Sequence, residues 1–125
     1  MTIKLMKEMF EKMVIKKDAS LISQYYHYEF LLTTNGEKVD YEKFLKDHET
    51  YYKTDIQYKI EYEEETLLES KNKVAGRIWI TTKRPDEPAN KLEVMLIAEY
   101  REGKIYRLWE LVYPDWKQLP AFKKD

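Results

Sequence analysis

Lys91 to Val112 reads KLEVMLIAEYREGKIYRLWELV, and this stretch decides the fold class. It holds two long strands, Lys91 to Arg101 and Lys104 to Val112. Glu102-Gly103 is too short a link for anything but a tight antiparallel turn. Upstream, Lys73 to Thr82 is another strand, ending at the loop Pro85-Asp86-Glu87-Pro88. Before it, Ile56, Tyr58, Ile60 and Tyr62 alternate with Gln57, Lys59 and Glu61, the period of a strand with one buried face. Glu63-Glu64-Glu65 breaks that alternation and reads as a bulge or bend. Long strands with short links make a continuous antiparallel meander the simplest topology.

The first half has the other period. Ile3, Met6, Met9, Phe10, Met13 and Val14 recur at helical spacing, which predicts a helix over Ile3 to Lys17. Asp18 suits the cap of a second helix carrying Leu21, Ile22, Tyr25 and Tyr26. A short apolar stretch, Phe30 to Thr33, runs to the turn pair Asn35-Gly36. Asp40 then caps a third helix, about Tyr41 to Lys53, whose apolar face holds Phe44, Leu45, His48, Tyr51 and Tyr52. Residues 113–125 form an apolar tail with Pro114, Trp116, Leu119 and Phe122, which packs on this subunit or on a partner. Helices first and a meander after them make an α+β domain spanning 1–125, with three helices covering one face of an antiparallel sheet.

Bulk composition narrows the function. Hydrophobic residues are 43% and charged residues 36%, which excludes disorder and a membrane protein. No apolar run approaches the roughly 20 residues of a bilayer span. The chain has no cysteine, which removes disulfides, thiolate nucleophiles and Cys-ligated zinc, and the default is a cytoplasmic protein. A net charge of −1 with interspersed Lys and Glu gives no field for nucleic acid. The two histidines are far apart and no carboxylates sit at a ligand spacing, so no metal and no cofactor are expected. Eleven tyrosines suit a partly wet cavity, an interface or ordinary sheet packing.

Three local patterns carry a family resemblance. They are Asp18-Ala19-Ser20-Leu21, then Tyr25-Tyr26-His27-Tyr28-Glu29-Phe30, then Arg101-Glu102-Gly103-Lys104-Ile105 leading to Leu108-Trp109-Glu110. In this order the chain resembles the nuclear transport factor 2-like superfamily, particularly its SnoaL-like members. The resemblance implies a strongly bent, cone-shaped sheet wrapped around the helices, with a pocket at one end and dimers through the outer sheet face. It does not imply one activity, because the superfamily spans isomerases, dehydratases, epoxide hydrolases, cyclases and proteins without known activity. The isomerase's tyrosine and carboxylate base fall near Phe10 and Thr34, neither of which can do that work. The dehydratase's paired histidines are not matched either.

Candidate residues follow from which faces point inward. His48, on an apolar helix stripe, is the first candidate proton carrier. The same placement suits a core histidine bonded to a tyrosine or a carbonyl. Glu110 is the second, provided that Tyr106, Leu108, Glu110 and Val112 face the cone. If Arg107, Trp109 and Leu111 face it instead, Glu110 is a surface residue. Among the helices and the following strand, Phe10, Met13, Tyr25, Tyr26, Phe44 and Tyr52 are the expected ligand-binding residues. Trp79 and Trp109 are the expected contributions from the long strands. Arg77 suits a cross-strand pair with a glutamate on the outside, and His27 reads as exposed or capping. The functional expectation is a small, mostly apolar or aromatic ligand in the cone, with dehydratase-, cyclase- or hydrolase-type acid–base chemistry. The alternatives are a binding module without catalysis and a protein-interaction domain working through its sheet face and tail.

Overall fold

The computed structural model describes residues 1–123. Three α-helices, α1 (Thr2–Met9), α2 (Ile22–Tyr25) and α3 (Tyr41–Tyr52), pack against seven strands. The strands are β1 (Tyr26–Thr34), β2 (Glu37–Asp40), β3 (Gln57–Tyr62), β4 (Leu68–Glu69), β5 (Lys73–Lys83), β6 (Asn90–Arg101) and β7 (Lys104–Tyr113). They form one curved, unclosed sheet in the order β2-β1-β7-β6-β5-β3, with β4 pairing β5. No helix among the described residues is long and apolar enough to cross a membrane.

The expected meander is present in β5, β6 and β7, but the sheet is mixed. β1 runs parallel to β7, with Leu32 beside Leu108 and Thr34 beside Glu110. A parallel pair needs a long connection, and here residues 35–103, more than half of the chain, supply it. The β1–β2 hairpin turns at Asn35 and Gly36, whose φ values of 48° and 84° are the left-handed pair a tight hairpin requires. Asp40 then caps α3 by accepting from Lys43 N at 3.0 Å.

The first helix departs from regular α geometry. After α1 the chain continues as a wider π turn over Phe10–Ile15, closed by Asp18 N donating to Met13 O at 2.9 Å. Phe10, Met13 and Val14 all lie buried there against the sheet. The acidic run bends as expected, through a 3₁₀ turn at Glu64–Thr66, and leads into β4. Gly76 permits the return of that segment. A Cβ at Gly76 would strike the Leu67 side chain and stand 3.2 Å from Leu67 Cα.

Alternation sorts the two faces of the sheet. On β6, Leu92, Val94, Leu96, Ala98 and Tyr100 are buried, and Met95 and Ile97 are exposed. Arg77 makes its expected outer pair, with Nε 2.9 Å from Glu93 Oε2 and Nη1 3.3 Å from Glu63 Oε1. His27 is corrected. It is 5% exposed rather than open, stacked on Tyr28 with ring centroids 4.7 Å apart. Its Nδ1 accepts from Glu29 N at 3.0 Å and its Nε2 lies 3.1 Å from a Glu102 carboxylate oxygen. That partner lies 75 residues away in the turn between β6 and β7, which local reading cannot supply.

Candidate functional site

Between the helices and the inner sheet face lies a cavity of about 190 Å³. An apolar cavity of about 150 Å³ accepts benzene, so this one has room for a single substituted ring. Its walls are mostly apolar, with Met6, Phe10 and Met13 from the first helix and Leu96, Ala98 and Leu108 from the sheet. Among the described residues, no lysine or arginine lines it.

Three ionisable groups besides the tyrosines reach this space, Glu110, His48 and Asp47, and Asp47 is paired with Lys43 Nζ at 3.0 Å. β7 turns Leu108, Glu110 and Val112 inward and Trp109 and Leu111 outward, which resolves the two-way reading of that strand. The uncovered part of Glu110 therefore faces the cavity rather than bulk water. Burial pushes its carboxyl up to about 7. Thr34, its neighbour across the parallel pair, pulls the other way. The Thr34 hydroxyl completes no aligned hydrogen bond of its own. The backbone around Glu110 is held firmly. Asn35 N donates to Glu110 O at 3.1 Å. The Asn35 side chain forks onto Val112, accepting from its N at 2.8 Å and donating to its O at 3.1 Å.

His48 approaches from α3, stacked at a tilt on Phe44 with centroids 4.0 Å apart. Burial moves its pKa down from the ordinary histidine value. Its Nδ1 lies 2.8 Å from the Phe44 carbonyl oxygen. A carbonyl only accepts, so the imidazole proton sits on Nδ1 and Nε2 keeps a free lone pair. A neutral histidine with an open Nε2 is a base, and a glutamic acid still protonated near neutral pH is an acid.

Tyrosines complete the polar set. Tyr26 lines the cavity with its hydroxyl 3.6 Å from Met9 Sδ. Burial, and charge on Tyr52, Tyr100 or Glu110, raises its pKa, so these groups share one neighbourhood. The buried hydroxyls of Tyr52, Tyr100 and Thr82 have no protein hydrogen-bond partner. Buried hydroxyls of this kind usually have one. Tyr52 and Thr82 face the cavity and are positioned to meet polar atoms of a ligand.

Of the candidate residues, Phe10, Met13, Tyr26, Phe44, Tyr52, His48 and Glu110 line one cavity. Tyr25, Trp79 and Trp109 do not, and their assignment as cavity residues is corrected. Tyr25 donates its hydroxyl to Glu8 at 2.8 Å, outside the cavity. Trp79 alternates with the inward Ile78 and Ile80, so its ring lies on the outer face beneath Arg77, 4.5 Å from its centroid. Trp109 alternates with Glu110 and is 41% exposed. Thr82, Asn35 and the tail aromatics were not identified from sequence as parts of the site. Thr82 ends an alternating strand and Asn35 sits in a visible turn, but only the bent sheet brings them here.

No family model and no curated relative matches the sequence. Solved structures do. AclR from Streptomyces galilaeus superposes with a TM-score of 0.72 at 17% identity, over 98% of this chain and 96% of that one. The chain has the SnoaL-like cone fold. A SnoaL-like polyketide cyclase from Agrobacterium tumefaciens matches at TM-score 0.66 and 13% identity, over 88% of this chain and 89% of that one. An LEH-like epoxide hydrolase from M. tuberculosis matches at TM-score 0.70 and 8% identity, over 84% of this chain and 77% of that one. Identities this low establish the fold alone and leave the chemistry to the residues in hand.

Proposed function

We propose that the cavity binds a small, mostly apolar, uncharged molecule and transfers protons on it. His48 is the base and Glu110 the acid, with Tyr26 or Tyr52 orienting the ligand. The carrying observation is an imidazole whose Nδ1 is engaged by the Phe44 carbonyl, leaving Nε2 free, on the wall of the same small cavity as the Glu110 carboxyl, which burial raises to about 7. Among the described residues that wall carries Asp47 and Glu110 and no lysine or arginine, which disfavours an anionic ligand. In a dehydration, His48 Nε2 takes a proton from carbon, a C=C bond forms, and the hydroxyl leaves as water with the proton from Glu110. The resulting imidazolium and carboxylate return to their starting states by exchanging a proton through water. In an enolisation, the same two transfers act on the α-carbon and the carbonyl oxygen.

Cyclohexanone is a suitable first probe, because it fits a one-ring cavity and its α-protons exchange with solvent through the enol. In D₂O the wild type is expected to speed deuterium incorporation above buffer, and His48→Gln and Glu110→Gln to remove that excess. Binding of cyclohexanone without excess exchange would leave a binding module and end the proton-transfer reading.

The outer face supports a second copy of the chain as partner. Met95, Ile97, Leu111 and Tyr113 are 48%, 46%, 66% and 76% exposed. The register sets Met95 beside Leu111 and Ile97 beside Trp109 in one apolar patch. Glu93 and Arg77 on one flank, with Glu99 beside Arg107 on the other, give both charge signs that a two-fold interface can match to itself. Sedimentation should show a dimer that Leu111→Glu splits. A wild type that stays monomeric at tens of micromolar would end this assignment.

A further inference from the structure

Residues 114–123, after β7, pack on their own subunit and cover part of the cavity, and the last two residues of the expected tail lie outside the described residues. Trp116 and Phe122 both line that space. They form a three-ring cluster with Tyr51 of α3, with Tyr51–Trp116, Tyr51–Phe122 and Trp116–Phe122 centroids 5.7, 5.2 and 5.4 Å apart. All three contacts are edge-to-face. Leu119 and Ala121 are buried, at 7% and 1% exposure. The segment is tied down by Arg84, just past β5. Arg84 Nε and Nη2 donate to Ala121 O at 3.0 and 2.7 Å, and Nη1 to Asp55 Oδ1 at 2.8 Å. Arg84 is 8% exposed, so its charge is committed to these partners. The ion pair Lys117 to Glu37, at 3.2 Å, also joins the tail to the domain but is about half exposed and screened.

We infer that this segment is the end wall of the ligand cavity, that Trp116 and Phe122 set the length of ligand it accepts, and that Arg84 latches the wall in place. The inference rests on the cavity being a ligand site. A ligand that fills the cavity meets Trp116 and Phe122 on this wall. Short neutral molecules would fit beneath it, and longer ones would require the segment to move. Arg84 is then a positioning residue, acting on the ligand only through the wall.

The test uses a series of 4-alkylphenols, from methyl to octyl, titrated by calorimetry into the full chain. Each buried methylene should raise affinity about fourfold until the chain meets the wall, where the gain stops. Trp116→Ala and Phe122→Ala should move that break to longer chains. Arg84→Gln should also move it, and should speed hydrogen exchange at the Phe122 and Lys123 amides while the β6 amides stay protected. Leucine at 116 and 122 keeps an apolar contact in a smaller side chain, and carries the test if the alanine variants do not fold. An unmoved break in the folded variants would overturn the end wall and leave the cavity reading standing. Failure of every alkylphenol to bind the wild type would remove both.

Discussion

Replacing Glu110 with glutamine should make the protein more stable in alkaline solution. The carboxyl rises from 4.5 to about 7 on folding. At about 1.4 kcal/mol per tenfold change, the folded state disfavours the charged form by about 3 kcal/mol. Below pH 4.5 both folded and unfolded chains hold the proton, and the full contribution is present. Between 4.5 and about 7 the folded chain binds more protons than the unfolded one, so stability falls as pH rises. Above that window both forms are charged and the whole amount is lost. Glutamine has nearly the same shape and stays uncharged throughout. The stability difference between Glu110→Gln and wild type should therefore grow by about 3 kcal/mol from pH 4.5 to pH 8. His48 runs the other way. Its pKa is lowered on folding, so its contribution is present above the unfolded value and lost as pH falls through the folded one. Making both measurements in a His48→Gln background removes that contribution and any coupling between the two. Urea unfolding followed by tryptophan fluorescence gives the free energies. Parallel pH profiles for the two proteins would mean that Glu110 is fully solvated. The acid assigned to the site would then be lost.

Three further substitutions test the frame around the site. Gly76→Ala should cost about 1–3 kcal/mol in urea unfolding, because its Cβ meets Leu67 where β4 crosses β5. Asp40→Ala should cost about 1 kcal/mol by the same measurement, through loss of the α3 cap. Asn35→Ala should cost about 2 kcal/mol, since it loses the fork onto Val112 and forces alanine to the left-handed φ of 48°. Asn35→Gly loses the fork without the strain and should cost less. Because the lost fork holds Val112, two residues along β7 from Glu110, both variants should shift the Glu110 titration seen by carboxyl ¹³C NMR.

What the sequence disclosed is what local spacing can encode. Asp40 is a cap because a carboxylate three residues ahead of an amide can close the first turn of a helix. Asn35-Gly36 and Glu102-Gly103 are turns because their φ values favour such residues. His48 could be placed on an apolar stripe for the same reason, and α3 carries it into the cavity. Features made by distant segments left no such trace. The parallel pairing of β1 with β7 joins the two ends of the domain, and strand direction has no periodic signature. The burial of His27 depends in part on Tyr106 of β7, its polar contact on Glu102, and the tail's position on Arg84 reaching Ala121 O across 37 residues. Tyr25 was misplaced because neighbouring tyrosines at a helix-to-strand junction diverge. Tyr26 enters the cavity while Tyr25 reaches Glu8.

The ambiguity of β7 has its own physical cause. A strand with one wet face shows which side is buried by putting polar residues on the other. Here the inward set includes Leu108 and Val112 with one carboxylate, and the outward set includes Trp109 and Leu111 with one guanidinium. Hydrophobicity cannot rank two sets so alike, and a slip of one residue would exchange them. The structure fixes the choice with Asn35, which clamps Val112 and Glu110 at one end, and with the β6 register along the strand. The outer set looks like an inner face because it carries the exposed apolar patch. The sequence feature that hid the cavity's acid is therefore the one that supports a partner on the far side of the sheet. Polar residues at Trp109 and Leu111 would have marked Glu110 as inward and removed that surface together.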